Sequence, residues 1–138
     1  MVDVRDVRVK LHSAQESFGQ KDEQRKVGNG KLYESHDAVC LQFRDDDSTE
    51  QIVTHMEVKN GNEVVVRRNG TITSELRFKK EETHESSHKT GFGCVRFEIA
   101  TRELDIEADL EHMKVHIVYD LISGGGVVST NYIELEAK

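Results

Sequence analysis

Three consecutive pieces of the chain decide its fold: Ile52-Val-Thr-His-Met-Glu-Val-Lys-Asn-Gly61, Asn62-Glu-Val-Val-Val-Arg-Arg-Asn-Gly70 and Thr71-Ile-Thr-Ser-Glu-Leu-Arg-Phe78. In the first, Ile52, Thr54, Met56 and Val58 alternate with Val53, His55 and Glu57. In the last, Ile72, Ser74, Leu76 and Phe78 alternate with Thr73, Glu75 and Arg77. A period of two places one set of side chains on each face of a strand, so one face is apolar and the other charged. Asn60-Gly61 and Asn69-Gly70 are hairpin signals, because Asn and Gly tolerate the left-handed backbone that tight turns require.

The register follows from burial. A two-residue Asn69-Gly70 loop would set Val66 against Thr73 and Arg67 against Ile72, which mixes the two faces. A three-residue loop, Arg68-Asn69-Gly70, sets Val66 against Ile72 and Val64 against Ser74. The same choice at Lys59-Asn60-Gly61 sets Met56 against Val64. Because a one-residue slip inverts every side chain, burial selects the three-residue loops. The expectation is a three-stranded meander.

Alternation continues on both sides of this meander. Val7, Val9 and Leu11 read as a first strand. Val39, Leu41 and Phe43 read as a second, beginning as early as Lys31 and running into the turn Arg44-Asp-Asp-Asp-Ser48. The polar interval from Ser13 to Gly30 reads as a short helix or a loop. Downstream, Val95, Phe97, Ile99 and Thr101 alternate on odd positions, and the phase then moves to Leu104 and Ile106, as a β-bulge produces. Val115, Ile117, Tyr119 and Leu121 follow, then the turn Ser123-Gly-Gly-Gly126 and a last strand to Leu135. Eight or nine strands at this spacing predict an all-β antiparallel barrel, with residues 1–138 forming one domain.

Composition sets bounds on function. Among 138 residues, 26 are acidic and 19 basic, a formal net charge of -7. This balance argues against nucleic acid or an anionic membrane as the main partner. Two cysteines, Cys40 and Cys94, are too few for a disulfide framework, and Met1-Val-Asp-Val-Arg-Asp-Val7 lacks the apolar core of a secretory signal. A cytoplasmic protein with reduced thiols is expected.

Four motifs in order, Val64-Val-Val-Arg-Arg-Asn-Gly70 with Leu76-Arg-Phe78, Thr90-Gly-Phe-Gly93, Phe97-Glu-Ile-Ala-Thr101 and Ile117-Val-Tyr-Asp-Leu121, resemble the YwiB-like family. The resemblance runs from about Gly30 onward. It implies a calycin-type, lipocalin-like barrel in a bacterial, cytoplasmic setting, and no assigned activity. It also implies a proline where Gly91 stands and a tyrosine where His88 stands, so no role carries over to those two positions.

Motifs that suggest chemistry meet physical objections. His84-Glu85-Ser86-Ser87-His88 matches the H-E-x-x-H pattern, in which histidines one helical turn apart hold zinc and the glutamate acts as base. From Lys79 to Lys89 there is no apolar side chain to dock such a helix. In a strand the two histidines would stand about 13 Å apart, too far to share one ion. A zinc-dependent hydrolase is therefore a remote alternative. His112 and His116 repeat the spacing and read as exposed side chains at a strand start. Glu57, Glu63 and Glu75 share the charged face of the meander and read as solvated. No catalytic residue, metal or cofactor is assigned.

The barrel interior is the better candidate. Parity sends Thr54, Ser74, Thr101 and Tyr119 inward among Met56, Val66, Leu76, Phe78, Phe97 and Ile117. These hydroxyls on an apolar lining suit a small, mostly apolar ligand, with Arg68 at a hairpin loop available to an anionic end. The alternative is a packed core and a protein partner docked on a strand edge or on residues 13–30. Either way, a non-enzymatic binding protein is expected.

Overall fold

The computed structural model describes residues 4–45, 53–69, 73–90 and 93–138. Among these the chain forms ten strands: β1 (Val4–Ser17), β2 (Gln20–Ser35), β3 (Ala38–Asp45), β4 (Val53–Lys59), β5 (Glu63–Asn69), β6 (Thr73–Lys79), β7 (Thr83–Thr90), β8 (Gly93–Ala108), β9 (Met113–Ser123) and β10 (Gly126–Ala137). Each strand pairs antiparallel with the next, and β1 pairs with β10, closing the barrel. Backbone bonds of 3.0 and 3.2 Å between Arg8 and Lys138 extend that closing seam. Closure removes most of the sheet edge that an open meander would expose.

The apolar parity residues form the core. Val9, Leu32, Leu41, Val64, Phe78, Ile99, Met113, Val115, Ile117 and Leu135 are fully buried, one or more from nearly every strand. Together they are the centre of one continuous hydrophobic core. Gly30 lies in β2 against Val9 and Phe43, where a side chain would not fit.

The faces are as the alternation predicts, but the registers differ. Met56 pairs with Val66, not Val64, because the loop is Asn60-Gly61-Asn62, closed by Lys59 and Glu63. Asn60 and Gly61 take the two left-handed positions, at φ 53° and 68°. Val66 pairs with Leu76 and Val64 with Phe78, rather than with Ile72 and Ser74. Ile72 lies outside the described residues. Both shifts are even, by two and by four positions, and an even shift leaves every side chain on its own face.

The interval from Ser13 to Gly30 is neither helix nor loop. β1 and β2 pair along their whole length around a two-residue turn at Phe18-Gly19, both with positive φ. Residues 31–35 belong to the same β2, and β3 begins only after a second tight turn at His36-Asp37. The expected turn after Arg44 falls largely outside the described residues. The phase change in β8 is a bulge at Arg102, between Thr101 and Glu103, and a second bulge lies at Val128 in β10.

On the outer wall Arg67 bridges two carboxylates, Glu57 at 2.8 Å and Glu75 at 3.3 Å. Burial opposes the Arg67 charge, but the two carboxylates outweigh it and hold its pKa above the usual value. The charged face of the meander is therefore neutralised within itself.

Candidate functional site

Inward-pointing side chains stay partly accessible at both ends of the barrel, Leu104, Ile106 and Ala108 toward one end and a larger group toward the other. At the end where β1 meets β2 and β9 meets β10, inward-pointing side chains keep contact with solvent. Leu76, Tyr119, Leu121, Asn131 and Ile133 are half-buried, and Val95 is 57% exposed. The Phe18-Gly19 and Gly124-Gly125 turns lie at this end.

Of the five residues expected to line a ligand site, Thr54, Arg68 and Ser74 lie toward this end, while Thr101 and Tyr119 lie midway along β8 and β9, with Thr101 bonded to the Glu81-Glu82 turn of the opposite end. Thr54, Arg68 and Ser74 form a single cross-strand row on β4, β5 and β6, continued on β3 by Phe43. Thr54 and Ser74 are buried, whereas Arg68 is exposed. Arg68 sits within β5, paired on both sides, rather than in the hairpin loop. Thr101 and Tyr119 are a directly paired couple on β8 and β9. The two groups approach one another through Arg68 and Tyr119. Burial raises the phenol pKa of Tyr119, and the nearby Arg68 charge pulls it back down.

Below them lies an aromatic floor. The rings of Phe78 and Tyr119 meet with centroids 4.9 Å apart and planes inclined by 52°, a favoured tilted contact. The Thr101 hydroxyl is buried here and makes no hydrogen bond to the protein. Its backbone is fully used: Thr101 N–H donates to the Glu82 carbonyl at 3.1 Å, and Glu81 N–H donates to the Thr101 carbonyl at 3.2 Å. Arg68 has no carboxylate partner among the described residues.

Three residues at this end escaped the sequence reading. Asn131 pairs with Tyr119 and with Gln15, so both face the same side as the phenol, and Ser129 is buried beside them. Asn131 Nδ2 donates to Ser129 Oγ at 3.0 Å. Ser129 and Asn131 keep the odd parity of Ile133 and Leu135, but they are polar, so a count of apolar positions passes over them. Gln15 was hidden by the polar run around it.

The model of the family described as a domain of unknown function (DUF1934) matches residues 9–135. The chain belongs to this family. The DUF1934 match spans every strand of the barrel. The crystal structure of the ywiB protein from Bacillus subtilis superposes with a TM-score of 0.86 at 20% sequence identity, over 98% of this chain and 92% of that one. That likeness shows the fold, and it agrees with the YwiB-like motifs. No curated protein matches.

The H-E-x-x-H segment of this DUF1934 chain is a strand. His84 and Glu85 lie in β7 paired with Ile99 and Glu98 of β8. The helix that a zinc peptidase needs is not formed there, because β7 is held by the β8 ladder and by the Ser86 hydroxyl, which donates to the Glu75 carbonyl. Among the described residues no cluster of three or more His, Cys, Asp or Glu is arranged to hold a metal ion. His116 lies on β9 with its two ring nitrogens turned to different carboxylates, Glu103 and Glu134, each at 3.3 Å. Those carboxylates flank the ring and do not converge on one point. Among the described residues no helix is long and apolar enough to cross a membrane.

The cysteines are unpaired and differ in access. Cys40 is buried, and burial, aided by Glu57, raises its thiol pKa. Cys94 is exposed. A thiol reagent should therefore consume one equivalent from the native chain and a second only after denaturation. Two fast equivalents under native conditions would show that the β3 environment opens readily.

Proposed function

We propose that the chain is a non-enzymatic binding module, a calycin-like barrel that takes a small, mostly apolar molecule with an anionic end at its open mouth. The observation that carries this reading is the position of Arg68. It stands in the Thr54–Ser74 row, within electrostatic reach of Tyr119, at the end where apolar inward side chains remain accessible. A guanidinium recognises a carboxylate or sulfonate through paired N–H donors, and the hydroxyls of Thr54, Ser74 and Tyr119 can complete the contact. The unsatisfied Thr101 hydroxyl supports a polar ligand atom reaching further in.

The continuous core beneath Phe78 limits the ligand to the mouth, with its apolar part against Leu76, Leu121 and Ile133. The reading includes a bacterial cytoplasmic setting, with neither nucleic acid nor membrane as partner, supported by the net charge of -7 and the free Cys94.

The test is binding of the fluorescent anion 8-anilinonaphthalene-1-sulfonate, and its displacement by medium-chain carboxylates and by the matching alcohols. Arg68→Ala should weaken the carboxylates roughly tenfold to a hundredfold, the range for losing a hydrogen-bonded charge contact, and leave the alcohols nearly unchanged. Absence of saturable binding, or equal effects on carboxylate and alcohol, would overturn the reading.

A second reading, a protein-interaction domain with a solid core, has separate support. Phe18 is 95% exposed at the β1–β2 turn, beside Val127 and Val128, also exposed. Large apolar side chains grouped at one tip suit a protein surface better than a small molecule.

A further inference from the structure

The walls of the mouth differ in chemistry. Arg68 stands on β5 between Thr54 and Ser74, whereas the inner faces of β1, β9 and β10 carry no charge above the core. Toward the mouth the inward positions run Val7, Val9, Leu11, Ser13, Gln15 along β1 and Leu135, Ile133, Asn131, Ser129 along β10. Outward positions of the same strands carry Lys10, His12, Glu16, Glu134 and Glu136. Solvent reaches the inner face here too, since Ser13, Asn131 and Ile133 are half-buried and Gln15 is exposed. A merely solvated face has no need to exclude charge. A face that holds a partly apolar ligand does, because an unpaired charge is costly to desolvate.

Tyr119, Asn131 and Gln15 form one cross-strand row, with neighbouring Cα atoms about 4.5–5.5 Å apart. Asn131 Nδ2 spends one hydrogen on Ser129 Oγ, which orients the amide and leaves Oδ1 and the second N–H for a ligand. A primary amide donates and accepts at once, so two of them side by side suit a hydroxyl or another amide. Asp22 continues the row beyond Gln15 on β2, and its carboxylate repels an anionic group there. An anionic end therefore goes to Arg68, and a neutral polar group goes to Asn131 and Gln15. Leu121 and Ile133 flank the row and cover the apolar chain between the two groups.

We infer that the ligand carries a second polar group: it is a medium-chain carboxylate bearing a hydroxyl or amide, with the carboxylate on Arg68 and the neutral group held by Asn131 and Gln15. This rests on the mouth being a ligand site, as proposed above, and adds the wall that selects the other end of the molecule.

The experiment compares displacement of 8-anilinonaphthalene-1-sulfonate by decanoate and by the isomeric monohydroxydecanoates. In a purely apolar site a hydroxyl on the chain weakens binding, because its desolvation is not offset. Here the best-placed isomer should bind at least as tightly as decanoate, by up to roughly tenfold. Asn131→Leu keeps the shape and removes the amide, so it should reverse that order and leave the same isomer about tenfold weaker than decanoate. Gln15→Met, at an exposed position where the fold is not at stake, should act in the same direction and less strongly. Decanoate itself, and its dependence on Arg68, should be unchanged in both variants, which also shows that they fold. Weaker binding of every hydroxy isomer than of decanoate, or an order that survives Asn131→Leu, would overturn this inference and leave the mouth as a ligand site. Failure of every carboxylate to displace the dye would remove the mouth as a ligand site, and this inference with it.

Discussion

Replacing Phe78 with alanine should destabilise the barrel by about 3–5 kcal/mol, the loss typical of a fully buried aromatic ring cut back to a methyl group. Phe78 is 0% exposed, pairs across β6–β5 with Val64, and carries the tilted contact to Tyr119. Its removal forfeits the transfer free energy of the ring and leaves a cavity. The surrounding strands close that cavity poorly, because each is held by ladders on both sides. In a domain of this size the change corresponds to a fall in Tm of roughly 10–20 °C. Urea unfolding should show a lower midpoint at an unchanged slope. Phe78→Leu, which keeps most of the volume, should lose roughly 1–2 kcal/mol. A loss below about 1 kcal/mol for the alanine variant would mean that the ring is not part of a dry core.

Gly30→Val should rival that effect from the opposite cause. A Cβ at Gly30 would lie 2.9 Å from the Gln42 carbonyl oxygen, 2.9 Å from a Val9 methyl carbon and 3.0 Å from Phe43 Cβ. The carbonyl is backbone in the β3 ladder and cannot swing aside, so the β2–β3 pairing itself must spread. Overpacking of this kind costs about 1–3 kcal/mol, with the branched valine at or above the upper end and alanine lower. Gly126 is the control, since a Cβ there meets nothing within 4 Å. Gly126→Ala should be nearly neutral in the same thermal or urea measurement. Equal tolerance at positions 30 and 126 would refute the close approach of the barrel wall at β2.

These two positions differ in how far the sequence foretells them. Phe78 stands on an uninterrupted alternation with Ser74 and Leu76, and a period of two assigns it to the core without any knowledge of its neighbours. Gly30 stands in a run of polar residues and glycines that reads as a break. Its importance comes from Val9 and Phe43, which lie 21 and 13 positions away in the chain. The same contrast holds across the open end. Thr54, Ser74, Thr101 and Tyr119 are legible because their strands alternate cleanly. Asn131 and Ser129 are not, because their polar side chains interrupt the apolar alternation on the odd positions that Ile133 and Leu135 share.

The β1–β2 hairpin shows the limit most clearly. Ser13 to Val27 carries little apolar periodicity, and Gln20 to Arg25 in its far half are exposed on both faces. Its strand character comes from the ladder with β1, which β10 in turn fixes. The turn at His36-Asp37 has no glycine, so nothing local announces its two positive φ angles. Closure of the sheet forces the reversal there.

Hydrophobic alternation alone determined that this chain is all-β, that its strands follow one another as a meander, and which side chains face inward, since parity survives any even slip of register. Strand pairing decided the rest: the registers at both Asn-Gly corners, the tenth strand and the approach of Arg68 to Tyr119. Those depend on which distant backbones share hydrogen bonds, and a local pattern of side chains carries no record of its partner.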